Sequence, residues 1–306
     1  MITILHKTLK DSTVKFLDEF KPGSWVYVEN PTEEELERIS RDYKLDRGLL
    51  KDALDPHEVS RVDVDEGVDY IFARYAREEN GSVFTEPILL IISADSLITV
   101  CRKKPDFYDK FIAGKVEFFT TQKTKLFIQI LLDIIQNYQQ ILNHIRKQIR
   151  VLTTDLEKIK NQDVINFVTY EATLYDMLTS LEPMGSTLKT LLSGRYMAIF
   201  EQDKDLVEDL QLGTEQLVDL CQSTLSHIVN VRNGYSTIIS NNLNKTMKLL
   251  TFLTLILTIP TMIASFFGMN VPLPMQQHEL AFIAIFLLAL FITGLLSFIL
   301  SRRHYL

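Results

Sequence analysis

The stretch LLTFLTLILTIPTMIASFFGMN, residues 249–270, is followed after a short connector by LAFIAIFLLALFITGLLSFIL, residues 280–300. Each run lacks charged residues and reaches the length, about twenty residues, that a helix needs to cross the hydrocarbon core of a bilayer. The pair reads as two transmembrane helices. Lys245 and Lys248 precede the first and Arg302 and Arg303 follow the second, while the connector holds no Lys or Arg. That asymmetry predicts a hairpin with both ends in the cytoplasm. The expected protein is a multi-pass component of an inner or plasma membrane, its N and C termini cytoplasmic and its hairpin surrounded by lipid.

The first run is apolar but not uniform. At 100° per residue, Met247, Leu250, Thr251, Thr254, Thr258, Thr261 and Ser265 recur at intervals of one, three or four and share one helix face. The other face, with Leu249, Phe252, Leu253, Leu255, Ile256, Ile259, Ile263 and Phe266, suits lipid or the second span. A hydroxyl in a membrane helix can satisfy itself on the carbonyl three or four residues back, so the stripe needs no partner. Repeated around the axis of an oligomer, it lines a narrow pore.

Gly268-Met269-Asn270 closes the first run, directly behind Pro260-Thr261-Met262-Ile263-Ala264-Ser265-Phe266-Phe267. With the two-span C-terminal region, the approach from Asn241 to Thr251 and the basic tail from Ser301 to Leu306, this resembles the signature of the CorA family of magnesium transporters. The likeness in size and layout covers essentially the whole chain. It implies a homopentamer with one central pore made by the first spans, and cytoplasmic domains that sense the ion. Gly268, Met269 and Asn270 would form the selectivity filter at the outer mouth, where a ring of Asn270 side chains meets a hydrated divalent cation. Thr254, Thr258, Thr261 and Ser265 would line the pore, and Met247 and Leu250 match the family's apolar constriction, a hydrophobic gate. Thr258 stands where some relatives carry a large apolar residue and Ser265 where Gly is common. A wetter middle and a more crowded outer part of the pore are therefore expected.

Ion chemistry agrees with that implication. Mg²⁺ dehydrates reluctantly, so a filter that leaves its water in place needs neutral oxygens at water-bridged distance. Asn270 supplies an amide oxygen, and no carboxylate lies in the first span. Asn270 falls well off the straight stripe, so its role requires the helix to end or distort near Gly268. The connector, 271–279, contains Pro272 and Pro274, which stop helix or ladder continuation. Many relatives carry Met-Pro-Glu-Leu there, whereas Gln277-His278-Glu279-Leu280 keeps only the last two residues. Glu279 at the external mouth either concentrates cations or caps the second span. His278, alone beside two Gln residues, is not a metal site.

The remaining residues bound the same picture. The chain has 306 residues and a formal charge of −7, and its pI near 5.5 argues against a nucleic-acid partner. Met1 to His6 is too short and polar for a secretory signal. Cys101 and Cys221 read as buried thiols rather than a disulfide. Residues 1–123 form a mixed α/β domain. Ser24–Glu29, Asp69–Tyr75, Pro87–Ile92 and Ser96–Cys101 are expected strands, and Glu33–Tyr43 an expected helix opened by a Thr32/Glu35 capping box. Leu54 to Asp63 resembles the family's entry into its central sheet, a less specific motif.

After Lys123 the period changes to three and four. Phe127, Leu131, Ile134, Tyr138, Ile141, Ile145, Ile149 and Leu152 make a coiled-coil-like seam in a helical region, 124–203. A second helix there, from Val164 to Leu181, is expected to end at Pro183 and Gly185. A stalk helix, 204–248, then enters the first span, 249–270, without a loop. Its inner face carries Leu210, Leu217, Cys221, Ile228, Val231, Tyr235 and Ile238, and at 1.5 Å per residue some sixty residues extend roughly 90 Å. The connector, the second span, 280–300, and a basic cytoplasmic tail, 301–306, complete the layout. The fold class is an α+β or α/β cytoplasmic domain followed by long stalk helices and a two-helix transmembrane hairpin, a CorA-like funnel.

Acidic residues cluster near the start of the stalk. The resemblance implies regulatory Mg²⁺ held between subunits by such carboxylates, with Asp209 the first candidate and Asp203 and Asp205 the alternatives. Asn233 stands where a relative carries Asp, which removes a charge from that contact. An acidic helix face is otherwise simply solvated. The reading as a whole is a Mg²⁺ uptake channel driven by the electrochemical gradient and gated by internal Mg²⁺, without covalent catalysis or a phosphate-binding loop. Two alternatives stand beside it. One is a Zn²⁺, Co²⁺ or Ni²⁺ transporter of the same architecture, and the other is a membrane-tethered structural or signalling oligomer.

Overall fold

The computed structural model describes residues 1–79, 81–154, 159–192, 201–269 and 280–302. The chain falls into two compact units, Met1–Asn230 and Val231–Leu306. The first is built on strands β1 (Ile2–His6), β2 (Lys15–Leu17), β3 (Ser24–Glu29), β4 (Arg61–Asp65), β5 (Val68–Glu79), β6 (Ser82–Ile92) and β7 (Ser96–Cys101). They form one sheet in the order β2-β1-β3-β7-β6-β5-β4. β3 and β7 pair in parallel, Trp25 opposite Leu97, and the remaining neighbours are antiparallel.

Both faces of the central strands are covered, which explains their nearly continuous apolar sequences. On one face Val26, Val28, Ile98, Val100, Leu89, Ile91, Tyr70 and Phe72 meet Leu36, Ile39 and Leu50. These last come from α1 (Glu33–Tyr43) and α2 (Arg47–Asp52). The Thr32 hydroxyl accepts from the Glu35 amide at 3.2 Å and the Glu35 carboxylate accepts from the Thr32 amide at 3.0 Å, completing the expected capping box. On the other face, Trp25 packs edge-on against Tyr108, Phe111 and Phe118, and its indole donates to Thr99 at 3.0 Å. Tyr108 and Phe111 belong to α3 (Asp106–Ile112). The result is a three-layer sandwich of helices on both sides of a mixed sheet.

Two long helices lie over β5 on that second side, α4 (Lys123–Leu152) and α5 (Asn161–Leu192). The seam expected in α4 is buried at Phe127, Leu131, Ile134, Tyr138, Ile145 and Ile149, with Leu142 buried in place of its half-buried neighbour Ile141. The expected end of α5 at Pro183 is wrong, because the helix continues to Leu192 with Pro183 inside it. A proline costs about 3 kcal/mol there, through a lost N–H and a clash with the preceding turn. Leu181, Met184, Leu188 and Leu191 are all buried on both sides of it, and burying aliphatic side chains at about 1.5–3 kcal/mol each outweighs the cost.

The third long helix, α6 (Glu201–Phe267), runs through Pro260. Its first part packs on α4 and α5: Gly213 sits beside Ile135, Gly185 beside Thr214, and Lys189 pairs with Glu215 at 2.9 Å. That ammonium holds the Glu215 carboxyl below the usual carboxylate range. Leu210, Leu217, Cys221, Ile228 and Val231 are buried, as their spacing predicts, whereas Tyr235 and Ile238, expected on the same face, are only half-buried. Cys101 and Cys221 are free, buried thiols, each pushed up to about 12 by desolvation. The second unit holds the end of α6 and α7 (Ala281–Arg302).

Candidate ion path

Within α6 the stripe is a physical groove. Leu250, Thr254, Thr258, Thr261 and Ser265 line one open groove of about 710 Å³ along the helix together with Leu253, Leu257, Met262 and Phe266, and all nine are exposed. Met247 precedes Leu250 by three residues and is likewise exposed. The less exposed positions of this segment, Phe252, Ile256, Ile259, Pro260 and Ile263, lie elsewhere around the helix. Pro260, Ile263 and Phe267 border a cavity of about 530 Å³ shared with Ile285, Phe286 and Ala289 of α7. The second helix therefore lies beside an apolar flank of the first and leaves most of the hydroxyl stripe open, although Thr261 also borders this cavity and Leu253 and Phe266, expected on the opposite face, border the stripe's groove.

The hydroxyls have a defined polarity. Thr251 donates to the Met247 carbonyl at 2.9 Å, Thr254 to Leu250 at 2.8 Å and Thr261 to Leu257 at 2.6 Å. Each donor is spent on its own helix, so the oxygen's free lone pairs face outward as acceptors. Metal-bound water offers only hydrogens to its surroundings, and the Thr254 and Thr261 oxygens are acceptors of the matching kind within an otherwise largely apolar groove.

The regular helix ends at Phe267, one residue before Gly268. The Gly268 amide is shared between the Ala264 and Ser265 carbonyls at 3.0 and 3.2 Å, and the Met269 amide turns to Phe266 at 3.3 Å. The last turn thus tightens from four-residue to three-residue bonds. A side chain at Gly268 would meet only ordinary contacts, at 3.5 Å, so crowding within the chain does not account for the glycine. Asn270 and Glu279 lie outside the described residues, as do residues 303–306 of the basic tail. Arg302 is described, its guanidinium 5.4 Å from the Phe298 ring.

Among the described residues, two helices are long and apolar enough to cross a membrane, Asp203–Phe267 through its C-terminal part and Phe282–Ile299. Among the described residues 231–306, only Val231 and Ala289 are buried. The model of the family described as CorA-like Mg²⁺ transporter protein matches residues 21–303. The chain belongs to that family. Among curated relatives, the cobalt/magnesium transport protein CorA of Methanocaldococcus jannaschii is 24% identical over 294 residues, 92% of this chain and 91% of that protein. The protein of the same name from Thermotoga maritima is 20% identical over 269 residues, 85% of this chain and 76% of that one. The solved structure of the complete M. jannaschii CorA magnesium transporter superposes with a TM-score of 0.88 at 22% identity, covering 100% of this chain and 99% of that one. The fold is the CorA fold, with a mixed-sheet domain, a long helix and a C-terminal apolar helix.

The carboxylates at the start of α6 divide. Asp203 is buried, at 3% exposure, whereas Asp205 and Asp209 are exposed four residues apart. Among the described residues no three His, Cys, Asp or Glu side chains converge closely enough to hold a metal. Asp205 and Asp209 offer one carboxylate each on one face, the donor type Mg²⁺ takes but fewer ligands than it needs.

Proposed function

We propose that this CorA-family chain is the protomer of a homopentameric channel that conducts hydrated Mg²⁺ inward, with no covalent step. Membership of a magnesium-transporter family supports the cargo. The observation that carries the route is the exposed line of Thr254, Thr258, Thr261 and Ser265 above Leu250, with the Thr254 and Thr261 hydroxyls donating back to the helix. Five copies around an axis would present rings of acceptor oxygens to the ion's water, and Asn270 would form the outermost ring. A divalent ion crossing the full field gains about 4.6 kcal/mol per 100 mV, enough to drive uptake without a nucleotide. Met247 and Leu250 would close the inner end by excluding water. Asp209, with Asp205, would bind internal Mg²⁺ weakly and complete its shell with ligands from a neighbouring subunit. Asp203 is the weaker member of that set because it is buried.

The test is flux through the reconstituted, full-length protein, read with a Mg²⁺ indicator inside liposomes. Thr258→Val with Thr261→Val keeps shape and removes two acceptor rings. A hydrogen bond is worth about 1 kcal/mol net and each ring repeats it, so Mg²⁺ flux should fall about tenfold or more. Unchanged flux would move the route off this face. Both relatives carry cobalt in their names, which favours Co²⁺ as a second cargo of the same path, and Co²⁺ flux exceeding Mg²⁺ flux at equal concentration would make it the first.

A further inference from the structure

A second cavity, of about 620 Å³, lies between α4 and α6 in the first unit. Its border carries Arg146, Lys147 and Arg150 from α4, and Ser223, Thr224 and His227 from α6. Arg146 and Lys147 are four and three residues before Arg150, so the three cations crowd one helix face. Like charges at that spacing destabilise a helix. Nothing on α4 offsets them. Its one carboxylate, Asp133, is already held by Lys110 at 2.8 Å, and among the described residues none of the three cations has an ion pair. A basic last turn is ordinary at a helix C terminus, which accounts for Arg150. The effect fades within a turn and does not extend to Arg146, or to an imidazole and two hydroxyls on another helix.

We infer that this cavity binds a multiply charged phosphate group. Guanidinium forks match phosphate oxygens in pairs, Lys147 adds a point charge, and Ser223 and His227 add donors from the opposite wall. Thr224 contributes less because its hydroxyl already donates to the Leu220 carbonyl at 2.6 Å. The volume falls within the range of about 300–1,000 Å³ usual for small-molecule sites and has room for more than one phosphate. Asp219, one turn before Ser223 on α6, is exposed and does not line the cavity. A nucleoside di- or triphosphate and an anionic lipid headgroup bring the same chemistry.

The experiment uses the full-length protein in nanodiscs of neutral lipid, titrated with inorganic tripolyphosphate by calorimetry at about 0.15 M salt, where the Debye length is near 8 Å. Saturable binding is expected. Arg146→Gln with Arg150→Gln should weaken it tenfold or more, while Lys115→Gln, an equally exposed charge away from the cavity, should leave it unchanged. Melting temperatures of the variants check that folding is intact. Replacing the neutral lipid with phosphatidylglycerol distinguishes the sources. An unchanged affinity assigns the site to a soluble phosphate, and a lowered affinity that is absent from the double variant assigns it to a headgroup. Absence of saturable binding in the assembled protein, or equal weakening by Lys115→Gln, would overturn the inference.

Discussion

One helix, α6, passes through two environments. Up to Val231 it buries Val207, Leu210, Leu217, Cys221, Leu225 and Ile228 on a three-and-four spacing against its own chain. Beyond Val231 none of its described side chains is buried, although Leu243, Leu257 and Met262 are as apolar as anything in the first part. The first unit needs no other molecule to explain its fold. The second exposes far more contiguous apolar surface than a soluble monomer tolerates, so its surroundings must come from outside the chain. Lipid suits the aliphatic positions, and copies of the same helix suit the acceptor stripe. On the proposed route, stability belongs to the first unit and transport to the second, and substitutions can pull those two properties apart.

The largest expected effect is on transport alone. Asn270→Ala removes the amide proposed to meet the hydrated ion and creates no buried charge, so Mg²⁺ uptake should be lost while assembly, read by size-exclusion with light scattering, is retained. Normal selective uptake would remove Asn270 from the filter. Leu250→Asp should act oppositely, wetting the proposed apolar constriction and giving leak currents at internal Mg²⁺ concentrations at which the unsubstituted protein is proposed to close. A recording with unchanged closure in an intact oligomer would place the gate elsewhere.

Which features could be read in the sequence follows from the same contrast. Ser24–Glu29, Ser96–Cys101 and Glu33–Tyr43 were legible to the residue because short β-branched and aromatic runs, flanking turns and a capping box all agree locally. The hydroxyl face was legible because helical period alone determines it. β1, β2, β4 and the first half of β6 were not, because Ile2–His6 and Arg61–Asp65 are short and polar enough to need their sheet neighbours for definition. The passage of α5 through Pro183 was illegible for a related reason: tertiary burial of Leu181, Met184 and Leu188 overrides a local breaker. The basic cavity had only half a signal, since Arg146, Lys147 and Arg150 are evident on α4 but their partners on α6 lie far along the chain.

A direct comparison along α6 gives the next effect. Ile228 is fully buried and Leu243 is 61% exposed. Ile228→Ala should lower the stability of the first unit by about 2–5 kcal/mol, the usual cost of truncating a core aliphatic. Leu243→Ala should shift it by less than about 0.5 kcal/mol. Chemical denaturation of full-length protein in detergent, followed by fluorescence of Trp25 in the sheet core, reads both. Equal losses would mean that position 243 is packed in the assembly, and the boundary at Val231 would then belong to the isolated chain only.

The smallest effect separates two threonines that look alike in sequence. Thr32 uses its hydroxyl to accept from the Glu35 amide at 3.2 Å, closing a helix start that has no other partner for that donor. Thr254 uses its hydroxyl to donate to a carbonyl already served by the helix, 2.8 Å away at Leu250. Thr32→Ala should therefore cost about 1 kcal/mol, within the range for N-cap removal, and leave Mg²⁺ flux per assembled channel unchanged. Thr254→Ala should cost no helix stability, because Ala has the higher helix propensity, yet should reduce flux by removing one acceptor ring from the proposed path. The paired readouts are the denaturation midpoint and flux normalised to reconstituted oligomer. If Thr254→Ala lowers the midpoint and spares the flux, its hydroxyl serves the helix, and the stripe loses its claim to be the lining of a pore.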